Sequence, residues 1–120
     1  MSNSVEQRQR QMCERHQADF CPPAVGSKLG IARDVVRKDI LPLNGLRHPV
    51  VRDTCGWYIW RGEEIPQDDD DYFDPMHVSH LPEECPEALP FLALPPGWRF
   101  LVAGDYVDVW YDESLLHVEE

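Results

Sequence analysis

The chain has 120 residues, which is enough for one domain and too short for two well-packed ones. Its hydrophobic fraction of 42% indicates a folded globular protein and excludes a disordered tail. No apolar run approaches the length of about 18 residues that a membrane-spanning helix needs, and the polar start of the chain does not resemble a secretory signal. We therefore expect a cytoplasmic protein whose four cysteines are reduced thiols.

Charge is distributed unevenly along the chain. The net charge is −11, yet residues 1–62 carry ten basic and six acidic side chains, whereas residues 63–120 carry sixteen acidic side chains and one basic residue, Arg99. Such an acidic surface repels phosphate backbones and anionic lipids, so nucleic acids and membranes are not expected as partners. It attracts basic proteins, although solubility alone also explains a charge of this kind.

The first half of the chain predicts one helix followed by strands. Residues 1–20 contain good helix formers with few apolar positions, and Cys21 with two following prolines ends this helix. The segments Leu29–Val36 and Trp57–Trp60 are rich in β-branched and aromatic residues, which is typical of strands. Between these strands, Asn44–Gly45 predicts a turn.

The second half predicts a loop, a short helix and a hairpin. Four adjacent carboxylates repel one another in any packed element, so Asp68–Asp71 predict an exposed loop. The prolines between residues 82 and 96 limit the helix there to about two turns, with a kink at Pro90. Two β-prone runs follow, Trp98–Ala103 and Tyr106–Tyr111, and the dipeptide between them is a hairpin signal.

These elements together predict an α+β fold, in which an antiparallel sheet with a C-terminal hairpin packs short helices on one side. We expect residues 1–25 to form a helical extension and residues 26–120 to form a single domain. No interdomain linker separates the two parts.

Two segments have a spacing of cysteine and histidine that zinc could use: Cys13, His16 and Cys21, and later His77, His80 and Cys85. Neither contains a CxxC pair, so packed reduced thiols are the main interpretation, and a small zinc- or thiol-dependent domain is the alternative. Cys55 belongs to the same alternative as a candidate nucleophile. No nucleophile elbow and no glycine-rich phosphate loop is present, so we predict neither an enzyme nor a cofactor.

The residues that suit a protein partner are exposed aromatic side chains and carboxylates, because rigid rings anchor a partner and charges steer it. The candidate anchors are Trp57, Trp60 and Trp110. The candidate steering residues are Glu63, Glu64, Asp68, Asp69, Asp70, Asp71 and Asp74.

A family resemblance rests on three segments. The stretch Asp53–Glu64 resembles the Asp–small–Gly–Trp segment of a bacterial immunity-protein family, the immunity protein thirty-three type. Members of that family are similar in having an acidic loop, here Asp68–Asp71, and later a Pro-Gly-Trp-Arg-Phe strand, here Pro96–Phe100, before an aromatic and acidic strand. The resemblance covers residues 26–116. The chain departs from it by one extra residue, since Thr54 and Cys55 stand in place of a single small residue.

The resemblance implies a cytoplasmic antidote in a toxin–antitoxin or polymorphic-toxin system. Such a protein binds a cognate toxin and occludes it, and it is not an enzyme. The toxins of such systems are diverse, so the resemblance implies neither the toxin's chemistry nor the oligomeric state of the complex.

Overall fold

A computed structural model describes residues 4–24, 26–32, 35, 39–50, 52, 54–62 and 73–117. Its strands are β1 (Lys28–Ala32), β2 (Leu43–Arg47), β3 (Thr54–Arg61), β4 (Phe73–His77), β5 (Trp98–Ala103) and β6 (Tyr106–Tyr111). Its α-helices are α1 (Ser4–Arg15) and α2 (Leu81–Glu84), and 3₁₀ segments span Val78–His80, Pro86–Phe91 and Glu113–Leu116. The predicted α+β class is confirmed.

The six strands form one mixed sheet in the order β4-β1-β3-β2-β5-β6. Strands β1 and β3 are parallel, and every other pairing is antiparallel, so the sheet is mixed and not wholly antiparallel as predicted. The predicted hairpin is confirmed, with Ala103 opposite Tyr106 across the two-residue turn. Gly104 has a φ of 61°, a left-handed conformation that glycine adopts without steric cost. Strands β4 and β6 are the two edges of the sheet.

The helical segments cover one face of the sheet and form the core with it. Side chains alternate along each strand, so every second residue of β3 points into this core while its neighbours lie on the opposite face. Phe91 of the second 3₁₀ segment stacks on Phe100 of β5, with ring centroids 4.3 Å apart. The core residues are Cys13, Leu29, Ile31, Val35, Leu43, Cys55, Trp57, Ile59, Leu81, Cys85, Ala88, Phe91, Leu92, Ala93, Leu94 and Phe100.

A buried arginine joins three separate parts of the chain. The Arg47 side chain, 1% exposed, donates through Nε to the carbonyl of Cys55 at 2.8 Å. Its Nη1 donates to the carbonyls of Cys21 at 2.7 Å and Leu94 at 2.8 Å. Burial lowers the pKa of the Arg47 guanidinium. The hydrogen bonds therefore hold the segment after α1 and the segment before β5 against the middle of the sheet.

The turn predicted at Asn44–Gly45 is wrong, because both residues lie inside β2. The Phe100 ring occupies the space where a side chain at Gly45 would lie, so this glycine permits close packing of β5 on β2. The Asn44 amide donates to the carbonyl of Gly62 at 2.7 Å. Pairing with strands on both sides and this packing outweigh the local turn preference of the dipeptide.

A helix near the N-terminus is present as predicted, but it ends at Arg15 and not at Cys21, since Gln17 has a left-handed φ of 58°. This helix contacts the rest of the fold. The Gln9 amide donates to the carbonyl of Leu89 at 2.9 Å, and the Cys13 thiol lies 3.5 Å from the carbonyl oxygen of Ala93. None of the helices in the described residues has the length and apolar character needed to cross a bilayer. The division of the chain after residue 25 stays a prediction.

Candidate partner-binding site

The structure corrects the role predicted for Trp57. Its side chain is 0% exposed, its Nε1 donates to the carbonyl of Leu92 at 2.9 Å, and its ring packs on Phe100 at a centroid distance of 5.6 Å. Because the indole lies on the helix-covered face of β3, it stabilises the core and offers no surface to a partner.

Trp60 lies on the opposite face of β3, but it is only 4% exposed and contacts the ring of Phe73. It too is unsuited to be a first point of contact. Trp110 is half-buried on β6, and Asp74 is exposed on β4. These two strands are opposite edges of a six-stranded sheet, about 24 Å apart at roughly 4.8 Å per strand. Trp110 and Asp74 therefore do not lie on one continuous surface.

Six of the predicted acidic residues, namely Glu63, Glu64 and Asp68–Asp71, lie outside the described residues. Their role in steering a partner stays a prediction. In the sequence, their segment follows β3 and precedes β4.

The β5–β6 hairpin carries the largest exposed apolar side chains of the sheet. Tyr106 is 60% exposed, and Val107 and Tyr111 are each 49% exposed. Asp108 is exposed and Trp110 half-buried on the same strand. We call Tyr106, Val107, Asp108, Trp110 and Tyr111 the hairpin surface. The sequence indicated the strand and its alternation, but of these residues only Trp110 was predicted to bind a partner.

The alternation of side chains along β6 could have indicated the other residues of the hairpin surface. Tyr106 and Trp110 share one face of the strand with Asp108, while the other face consists of Val107, Val109 and Tyr111. Neither face is uniformly polar. An edge strand that is apolar on both faces leaves some of those side chains in solvent.

An arginine and an aspartate fix the end of the hairpin surface. The guanidinium of Arg99 lies 5.3 Å from the ring centroid of Trp110 and 3.3 Å from the carboxylate of Asp112. The Ser114 hydroxyl donates to Asp112 at 2.6 Å and is the main cause that lowers the pKa of this carboxyl group. Trp110 thereby packs against a cation, a favourable arrangement for an aromatic ring.

The two predicted Cys/His sets do not assemble into a metal site in the structure. The rings of His77 and His80 lie 5.9 Å apart on the surface, whereas Cys85 is 0% exposed. Burial, with a contribution from Glu87, raises the pKa of the Cys85 thiol to about 11, which disfavours the thiolate that binds zinc. Within the described part of the chain, no group of three or more His, Cys, Asp or Glu side chains is arranged to hold a metal ion.

The first set is separated in a similar way. Cys13 is buried in the core, and burial raises the pKa of its thiol. His16 packs instead on the ring of Trp98, at a centroid distance of 6.1 Å. All four cysteines are free thiols, and Cys21 is the most accessible of them. Cys55 is 2% exposed, so its thiol lacks the accessibility that a nucleophile needs.

A shallow cleft of about 190 Å³ lies on the face opposite the helices, between β4, β1 and β3. Gly30, Tyr58 and Phe73 contribute to its walls. Sites for small molecules generally measure about 300–1,000 Å³. The cleft is smaller than that, so the exposed hairpin surface is the better candidate for binding.

A family model for the Imm33-like domain matches residues 8–112 of the chain. The chain belongs to the Imm33-like domain family. This confirms the family resemblance expected from the Gly-Trp and Pro-Gly-Trp segments. The matched range in this Imm33-like protein includes most of α1 and all six strands. No curated protein and no solved structure matches the chain.

Proposed function

We propose that this protein is an immunity protein that binds a cognate bacterial protein toxin and neutralises it by occlusion. The family match over residues 8–112 is the observation that carries the proposal. The hairpin surface supports it, because exposed tyrosines beside carboxylates suit a protein partner better than a small substrate. We place this action in the cytoplasm and assign it neither a cofactor nor a catalytic step.

The proposed toxin presents a basic surface. The motivation is the charge of residues 63–120, where sixteen carboxylates accompany one arginine. Glu63, Glu64, Asp68–Asp71 and Asp74 would act on the rate of encounter, since unpaired surface charge steers association from a distance. Trp110 remains the aromatic anchor from the sequence prediction. The same charge opposes nucleic acids and anionic membranes as partners.

The decisive experiment uses the toxin encoded by the neighbouring gene. We expect the two purified proteins to form a stoichiometric complex, and co-expression to restore growth to cells that produce the toxin. A toxin of similar size and isoelectric point from another system is the control, and it should neither bind nor be neutralised. If the folded protein forms no complex with the neighbouring toxin and gives no protection, the proposed function is wrong.

Binding kinetics test the steering role separately. Changing Asp68–Asp71 to asparagine should slow association several-fold at low salt and have little effect above roughly 0.5 M salt, where the screening length is about 4 Å. A control variant changes Glu83 and Glu84 to glutamine, because these adjacent carboxylates are exposed on α2 and do not belong to the acidic segment. Equal association rates for the wild type and the Asn variant at low salt would remove the acidic segment from the mechanism.

A further inference from the structure

The two edges of the sheet differ in their capacity to pair with another strand. An edge strand presents unpaired backbone groups, and proteins often protect such an edge with a proline, which has no N–H to donate. Pro75 lies in the middle of β4. Strand β6 contains no proline over Tyr106–Tyr111, and among the described residues it pairs only with β5. Within the described part of the chain, β6 is therefore the edge whose outward backbone groups no proline interrupts.

The register of the hairpin shows which backbone groups face outward. In an antiparallel pair, residues alternate between those that bond to the partner strand and those whose N–H and C=O point away from it. The Asp112 N–H donates to the carbonyl of Gly97 at 2.7 Å, so Asp112 points toward the β5 side. Every second residue before Asp112 has the same orientation, so the backbone groups of Trp110, Asp108 and Tyr106 also form hydrogen bonds with β5. The outward-facing backbone groups therefore belong to Val107, Val109 and Tyr111.

The negative charge along the β6 edge determines which kind of strand can pair with it. Four carboxylates, those of Asp105, Asp108, Asp112 and Glu113, lie on β6 or beside it, and Arg99 is the one cation of the hairpin. Pairing of two β6 strands from two copies of the chain would bring these carboxylates together, and like charges on paired strands are destabilising. A strand with basic side chains removes this repulsion. The charge therefore disfavours a second copy of the chain and favours a basic partner.

We propose that the outer edge of β6 receives an extended basic segment of the toxin as an added strand of the sheet. This inference rests on the proposed function and specifies its contact surface. The added strand would place lysine or arginine on the face shared with Asp108, and apolar side chains on the face shared with Val107 and Tyr111. Backbone hydrogen bonds contribute affinity in such an arrangement, and the alternating side chains contribute specificity.

Amide hydrogen exchange on the wild-type protein tests this arrangement without any substitution. In the free protein, the amides of Tyr106, Asp108 and Trp110 should be protected by β5, while those of Val107, Val109 and Tyr111 should exchange faster. Addition of the purified toxin should slow exchange at the outward amides by at least about tenfold. Unchanged exchange there in a formed complex would overturn the proposal, and so would concentration-dependent protection without toxin, which would assign the edge to a second copy.

A proline variant tests the same edge by affinity. Val107→Pro removes one outward N–H, and edge strands tolerate proline where that N–H faces solvent. The control Val107→Thr keeps the N–H and a β-branched shape. We expect Val107→Pro to weaken toxin binding about 10- to 100-fold and Val107→Thr by less than about threefold. Equal affinities for the two variants would overturn strand addition, whereas no complex with the wild type would overturn the proposed function instead. The exchange measurement decides the matter if the proline variant does not fold.

Discussion

Arg47 gives the sharpest test of how this fold is held together. Arg47→Met keeps the length of the side chain but removes the donors that now bond to the carbonyls of Cys55, Cys21 and Leu94. Each carbonyl left buried without a donor costs about 1–3 kcal/mol. Removal of a buried charge returns several kcal/mol of desolvation energy. The cost of the unpaired carbonyls exceeds the recovered desolvation energy, so we expect the free energy of unfolding to fall by about 2–4 kcal/mol.

Urea denaturation followed by tryptophan fluorescence measures this loss, since the Trp57 ring lies 5.8 Å from the Arg47 guanidinium. For a chain of this length, the loss corresponds to a fall in Tm of roughly 8–16 °C. The control is Arg8→Met, the same chemical change at an exposed helix position, which should alter stability by less than about 0.5 kcal/mol.

Arg47→Lys separates charge from geometry. Lysine keeps the positive charge but not the planar fork that reaches three carbonyls at once. We expect this variant to lose at least as much stability as Arg47→Met. A loss below about 1 kcal/mol for either variant would refute the reasoning, because it would show that the carbonyls find other donors or that the hydrogen bonds contribute little.

Two further predictions concern the hairpin turn and the thiols. Gly104→Val should lower stability by about 1–2 kcal/mol because of the positive φ at this position, and Gly104→Asn should cost less, since asparagine tolerates that conformation; equal melting temperatures for Val and wild type would contradict the turn. Alkylation of the native protein at pH 8 should modify Cys21 first and Cys85 last, because Cys85 is buried and has a pKa of about 11, and the difference should vanish in urea. Rapid modification of native Cys85 would contradict its placement.

The sequence predicts local features of this fold better than it predicts packing. The turn at Gly104–Asp105 follows from the dipeptide and the strands beside it, because a two-residue hairpin depends on its own backbone. Asn44–Gly45 carries a similar local signal, yet it lies within a central strand. There, the ring of Phe100, which is 55 residues away in sequence, sets the conformation around Gly45. Contacts of such long range are not visible in a short window of sequence.

The residues of the candidate site also could not be predicted from a short window of sequence. Aromatic composition alone indicates that some rings face outward, but it does not decide which ones. Trp57 lies in phase with Cys55 and Ile59 on the helix-covered face of β3, while Tyr106 and Tyr111 lie on a strand that has one neighbouring strand in the described sheet. The position of a strand within the sheet therefore decides exposure, and this position follows from pairings between distant segments.

The structure also changes how the charge of the sequence should be interpreted. Residues 1–62 carry a balance of +4, but Arg47 and Arg61 are only 1% and 4% exposed. Arg47 bonds to backbone carbonyls, and Arg61 donates to the carbonyl of Val35 and contacts Glu87 at 3.3 Å. These two guanidinium groups act inside the fold and present no donors to a partner. Asp105, Asp108 and Glu113 are exposed. Among the described residues, no basic side chain from the first half of the chain covers these carboxylates, so a partner that approaches the hairpin contacts them directly. In the described part of the chain, the hairpin edge is thus a place where carboxylates of the acidic second half and outward backbone groups are available together to a basic strand.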